Sequence, residues 1–220
     1  MVCIFCGICC IFNFIMKIAK DSVSFLIVLA ILALGAYIFN FLVATCVFSV
    51  LFLFVCFFFR DPKRRTPKDD NLVFSPADGT ISEINEVVFD DKPYYQIVIF
   101  LSVFNVHINR IPYKGTIISA KHFPGKFYAA FRKNIEEKNE RMEVVMQTDK
   151  GKMKFVQITG AIARRIVCNL TPGQKVGAGE KFGLIKFGSR TDLYVPKETA
   201  VTVSLGQKVC GGVTVMGRFS

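Results

Sequence analysis

Two histidines, His107 and His122, supply all the imidazole in this 220-residue chain. His107 lies in LSVFNVHINRIPYKG, just after an apolar strand-like run. That is a strand-end position, where functional groups often sit, and an imidazole there can give or take a proton near neutral pH. His122, in AKHFPGK, reads as a turn residue. Asp78 sits in FSPADGTI, where Asp-Gly alone signals a turn. Ser189 sits in IKFGSRTDLYVP, and Gly-Ser is common in loops. An acid, an imidazole and a hydroxyl are the parts of an activated nucleophile, yet each of these residues also has an ordinary structural explanation. There is no GxSxG elbow, Walker loop, HExxH or GxGxxG. Spacing alone supports a membrane-anchored β domain with a candidate Asp78/His107/Ser189 set.

The elements that must carry these residues are mostly strands. Beyond residue 72, the segments ISEINEVV, YQIVIFL, GTIISA, EVVMQT, MKFVQITG, KFGLIKFG and AVTVSLGQKV are short and rich in Ile, Val and Phe. Turn signals separate them at Ala77-Asp78-Gly79, Asp149-Lys150-Gly151 and Pro172-Gly173. VVMQT, DKGK and MKFVQI together predict a hairpin, and one helix is expected over residues 127–138. The expected fold is mainly β (α+β), a barrel-sandwich-like domain over residues 72–220. VGAGEKFGLIKFG has the glycine-punctuated cadence of such modules.

The first 59 residues differ in kind. They carry three charges, Lys17, Lys20 and Asp21, so nearly all of the chain's +11 belongs to the remainder. Residues 22–59 have none. One helix of that length would run roughly 57 Å against ~30 Å of hydrocarbon, so an N-terminal hydrophobic helical hairpin is expected, spanning about 22–39 and 41–59. Gly35 and Asn40 are candidate breaks. Lys17 and Lys20 before the hairpin, with Arg60, Lys63, Arg64 and Arg65 after it, mark its ends as cytoplasmic. The β domain is then expected on the cytoplasmic face of the cell (inner) membrane. Residues 60–71, with Pro62 and Pro67, read as a basic linker beside anionic headgroups. Residues 1–16 lack a basic n-region, against a secretory signal, and Met16 is a candidate start.

Six of eight cysteines, Cys3, Cys6, Cys9, Cys10, Cys46 and Cys56, fall in the apolar segment. CIFCGICC has CxxC spacing but no histidine or second pair behind it, so no metal is expected. Cys168 and Cys210 imply no disulfide framework. The positive charge lacks interleaved aromatics or an RNA-binding motif, so nucleic acid is not an expected partner.

Five segments occur in an order that resembles a known family: FFRDPKRRTP, SPADGTI, LSVFNVHINRIPYKG, HFPGKFYAAFRKNIEEKNER and KFGSRTDLYVP. Over roughly residues 60–196 the chain is similar to the short form of phosphatidylserine decarboxylase, a pyruvoyl-dependent membrane enzyme family. The resemblance implies a proenzyme that cuts itself between Gly188 and Ser189. The products would be a β chain, 1–188, and an α chain, 189–220, that remain associated through sheet pairing, with the long strand AVTVSLGQKV contributing. Ser189 would become a covalent pyruvoyl group that forms a Schiff base with the serine amine of phosphatidylserine. Carbon dioxide would leave, and phosphatidylethanolamine would be released among the membrane lipids. The family's essential histidine maps to His107 and the acidic member of its self-cleavage set to Asp78. Longer members carry a second histidine three residues on, and here that position is Arg110. Either His107 serves both steps, or cleavage needs only geometry and the aspartate; Arg110 could bind the phosphate or carboxylate instead. The alternative reading is a non-enzymatic, membrane-tethered barrel-sandwich adaptor module.

Overall fold

The computed structural model describes residues 17–19, 22–128, 138–160, 165–185 and 189–219. The expected helix over 127–138, Met16, the CIFCGICC run and Gly188 lie wholly or largely outside them. The chain divides into two units, residues 1–63 and residues 64–220.

In the first unit, β1 (Lys17–Ile18) pairs with β2 (Arg60–Asp61) and ties the two ends of a helical hairpin together. Its helices are α1 (Val23–Ile38) and α2 (Leu42–Phe58), which pack against one another. The break falls at Asn40, whose φ of 55° suits asparagine, while Gly35 stays inside α1. Of 16 and 17 residues, the helices run only ~24–26 Å against ~30 Å of hydrocarbon. Among the described residues no helix is long and apolar enough to cross a membrane. Their apolar surface is nevertheless bare: Leu34, Tyr37, Leu42 and Val43 are all at least 60% exposed. Arg60 closes α2 by donating to the Phe57 carbonyl at 2.8 Å, which meets an orphaned helix-end acceptor with a cation.

The second unit is mainly β. Its strands are β3 (Leu72–Phe74), β4 (Gly79–Phe89), β5 (Lys92–Leu101), β6 (Ile108–Arg110), β7 (Gly115–Phe123), β8 (Arg141–Thr148) and β9 (Gly151–Thr159). They are followed by β10 (Ile166–Cys168), β11 (Lys175–Val176), β12 (Lys181–Ile185), β13 (Ser189–Pro196), β14 (Ala200–Val201), β15 (Lys208–Val209) and β16 (Val215–Arg218). An eight-stranded antiparallel sheet, ordered β11-β7-β8-β9-β13-β5-β4-β15, curls into a half-barrel. Two three-stranded sheets, β10-β12-β6 and β14-β16-β3, complete the domain. The β4–β5 turn is Asp90-Asp91, both at positive φ, as a two-residue hairpin of matching twist demands. The expected hairpin at Asp149-Lys150 is present, with Thr148 opposite Gly151.

Alternation decides what each sheet face buries. Ile97, Ile99 and Leu101 of β5, Met153 and Phe155 of β9, and Leu193 and Val195 of β13 form one core, essentially without solvent exposure. Each such side chain contributes about 1.5–3 kcal/mol on burial. Tyr94, Val156, Ile158 and Tyr194 form a second cluster on the opposite face, packed by Val87, Phe89 and Tyr128.

Two expectations need correction, and one strand was not among those expected. Ser189 opens β13, which is paired along its length to β5 and for six residues to β9. All eight of its residues are buried. It lacks polar–apolar alternation because both faces are covered. AVTVSLGQKV is not a long strand; it breaks into β14 and β15 around a turn with Gly206 at φ 77°, a conformation glycine adopts without strain. His122 is not in a turn but in β7, exposed, and paired with Glu140 Oε1 at 2.9 Å.

Candidate active site

Ser189 is the first residue of the central strand, with Leu101 of β5 on one side and Thr159 of β9 on the other. It is fully buried, and its Oγ has no hydrogen-bond partner among the described residues. A buried hydroxyl left unmet costs about 1–3 kcal/mol, which makes an orphan at this position a reason to look for chemistry.

His107 is brought to the same end by the small sheet. β6 runs antiparallel to β12, and the His107 carbonyl accepts from the Ile185 amide at 3.2 Å, four residues before Ser189. Asn109 Nδ2 donates to Thr191 Oγ1 at 3.2 Å, locking β6 over β13. His107 directly precedes β6, and Ser189 opens β13 two residues before Thr191. His107 is 2% exposed, and its Nδ1 lies 2.9 Å from the Asn105 carbonyl oxygen. A carbonyl can only accept, so Nδ1 carries the proton of the neutral ring and Nε2 is its basic atom.

Asp78 ends the turn into β4. Gly79 is required there: a Cβ would lie 2.3 Å from the Phe100 carbonyl oxygen. Thr80, Phe100 and Arg190 form one row across β4, β5 and β13. At about 4.8 Å per strand, this places the Asp78 turn roughly 10 Å from the start of β13. The carboxylate accepts from Arg64 Nη2 and from the Gly211 amide, both at 2.8 Å. Arg64 also contacts the Cys210 thiol. Arg64, read from the sequence as a cation for headgroups, is instead largely buried on Asp78. Arg110 is buried too, its amide bonded to the Pro76 carbonyl and its Nη1 to the Gly179 carbonyl, at 2.8 and 2.9 Å. Asp78, His107, Arg110 and Ser189 therefore gather at one end of the half-barrel.

Sequence reasoning missed two polar groups. On the Ser189 side, Gln157 of β9 donates to Asn109 Oδ1 at 2.8 Å, extending the Asn109–Thr191 bond. On the opposite face, Arg190 makes a two-pronged ion pair with Asp192 at 2.6 and 2.7 Å. Gln96 donates to Asp192 Oδ2 and to the Tyr194 hydroxyl at 2.8 and 2.9 Å. The available signal was Arg and Asp two apart in SRTD, the spacing that shares a strand face. Among the described residues no cluster could hold a metal ion.

Residues 51–217 match the family model for phosphatidylserine decarboxylase. The chain belongs to this family. It is 44% identical over 214 residues to a phosphatidylserine decarboxylase proenzyme of Wolbachia pipientis wMel, covering 93% of this chain and 92% of the relative. Relatives with the same name from Rickettsia akari and Rickettsia prowazekii are 46% and 45% identical over 181 residues, covering 79% of this chain and 78% of each. Family membership makes the chain a decarboxylase, a carboxy-lyase, and favours that reading over the adaptor module.

Proposed function

We propose that the chain is the proenzyme of a pyruvoyl-dependent enzyme that converts phosphatidylserine to phosphatidylethanolamine, with Ser189 as the source of the carbonyl. The observation that carries this is the buried, unpartnered Ser189 Oγ at the head of the central strand. Oγ attacks the Gly188 carbonyl and the acyl group moves from nitrogen to oxygen. Loss of the Ser189 Cα proton then expels the Gly188 carboxylate and leaves dehydroalanine. Water converts that to a ketone and releases ammonia. The ketone's contribution, once formed, is to condense with a primary amine and accept the electron pair freed as carbon dioxide departs.

The chain's own groups have separable tasks. His107 Nε2 moves the proton, since Nδ1 is committed to Asn105. Asp78, held by Arg64 and Gly211, is a fixed negative charge at the same end of the half-barrel as Ser189. Arg110 supplies positive charge at the same end for the headgroup's phosphate or carboxylate. The α chain, 189–220, stays with the β chain because β13 is hydrogen-bonded on both edges, to β5 and β9. The bare apolar hairpin enters the membrane from the cytoplasmic side, its ends held at the surface by basic flanks.

Intact mass spectrometry of the 189–220 fragment tests this. It is expected to weigh less than its encoded sequence and to resist Edman degradation, because a ketone replaces the amino terminus. A fragment with an ordinary serine terminus, in protein that still turns over lipid, would falsify the proposal.

A further inference from the structure

Gln157 stands on β9 opposite Thr191 of β13 and is fully buried. Its orientation is set by a chain of bonds that begins at an atom able only to accept. The Pro76 carbonyl takes a bond from Asn109 Nδ2 at 3.4 Å, and the same nitrogen donates to Thr191 Oγ1 at 3.2 Å. Asn109 therefore presents Oδ1 on its other side, where it accepts from Gln157 Nε2 at 2.8 Å. Gln157 is left with Oε1 directed elsewhere, a buried acceptor with no partner among the described residues. Among the described residues, the other unmet atom on this face of these strands is Ser189 Oγ. Ser189 pairs with Thr159 and Gln157 with Thr191, so Ser189 and Gln157 are diagonal neighbours, about 7 Å apart at Cα and within reach of a long side chain.

We propose that Gln157 is a specificity-determining residue whose Oε1 accepts an N–H bond from the headgroup amine arriving at position 189. The assignment rests on the proposed role of Ser189. A primary amine brings the donor that this oxygen lacks. A neutral amide orients the amine without giving it a proton, so the nitrogen lone pair stays available to the carbonyl. A headgroup without an amine leaves the buried oxygen unmet, and sites built around a hydrogen bond reject such analogues strongly.

The test uses the full chain, with phosphatidylserine in phosphatidylcholine vesicles at pH 6, and the variants Gln157→Met and Gln157→Glu. Methionine keeps the length and removes the acceptor. A buried carboxyl is neutral at that pH, so glutamic acid offers Asn109 an O–H donor and keeps a carbonyl acceptor. Both variants are expected to release the 189–220 fragment on a denaturing gel. For Gln157→Met, KM should rise about tenfold, the value of one hydrogen bond, with a smaller change in kcat; for Gln157→Glu it should stay near the unsubstituted chain's. An unchanged KM in Gln157→Met overturns the proposal, and so does equal impairment of both variants, which would assign Gln157 to packing. If Gln157→Met does not fold, Gln157→Glu decides: a KM near that of the unsubstituted chain supports the assignment and a tenfold rise overturns it. Failure of the unsubstituted chain to turn over phosphatidylserine refutes the proposed function itself, and is distinguishable because it needs no substitution.

Discussion

The two faces of β13 treat polar residues in opposite ways. On one face Arg190 and Asp192 bury opposite charges and bond to each other through two contacts, with Gln96 adding a third. On the other, Ser189 Oγ and Gln157 Oε1 are equally buried and have no partner among the described residues. One face spends its polar groups on holding the strand, while the other keeps two of them uncommitted. A saturated cluster specifies structure, whereas an unsaturated one on the other face of the same sheet marks where a reacting group belongs.

Replacing Ser189 should break this contrast most completely. Ser189→Ala is expected to abolish both self-cleavage and decarboxylation, leaving one chain of 24.7 kDa on a denaturing gel. It should not lower the melting temperature, because the lost Oγ makes no hydrogen bond and removing an unmet buried hydroxyl relieves a penalty. A large destabilisation would mean that Ser189 is structural.

Asp192→Asn should behave in the reverse sense. It leaves the Arg190 guanidinium buried without its carboxylate, a change that costs about 3–5 kcal/mol. The melting temperature should fall by roughly 10 °C, with cleavage persisting below the transition. Replacing both residues by leucine should recover much of the loss. If Asp192→Asn kept full stability but lost turnover, the two faces would have to exchange roles.

These expectations rest on features that the sequence disclosed unevenly. The β-rich domain, the hairpin at Asp149-Lys150 and the apolar helix pair were legible, because local periodicity and turn chemistry decide them. Asp78, His107, Arg110 and Ser189 could be named, but their convergence could not be read from spacing. It depends on β6 pairing with β12 and on Asn109 bridging to Thr191, the latter a contact between residues 82 apart. β13 was not among the expected strands because a strand buried on both faces loses alternation, and its polar residues are satisfied by partners far along the chain. Arg64 was read as a surface cation because nothing local connects it to Asp78.

A smaller effect sharpens the contrast within the Ser189 face itself. Thr191 Oγ1 accepts from Asn109, so Thr191→Val removes one partnered atom beside two unpartnered ones. The expected loss is about 1 kcal/mol, seen in urea unfolding, with cleavage slowed because the bridge that positions β6 over β13 is weakened. Normal cleavage kinetics would separate the bridge from the chemistry.

The mildest expectation concerns Tyr113, a buried hydroxyl with a partner and therefore a control for the unmet ones. It donates to the Asp70 carbonyl. Its pKa is pushed up to about 12, first by burial and then by the neighbouring Asp149. An acid whose folded pKa lies above its unfolded value is stabilised in its neutral form. That contribution is fully present below pH 10 and is lost as the pH rises from about 10 to about 12, because only the unfolded chain can ionise freely in that window. The midpoint of urea unfolding should therefore decline over this interval. Tyr113→Phe should flatten the Tyr113 part of the decline without altering cleavage at Ser189, since Tyr113 packs against Phe219 rather than beside the site. If Tyr113→Phe stopped cleavage, partnered and unpartnered buried hydroxyls would no longer divide between structure and chemistry.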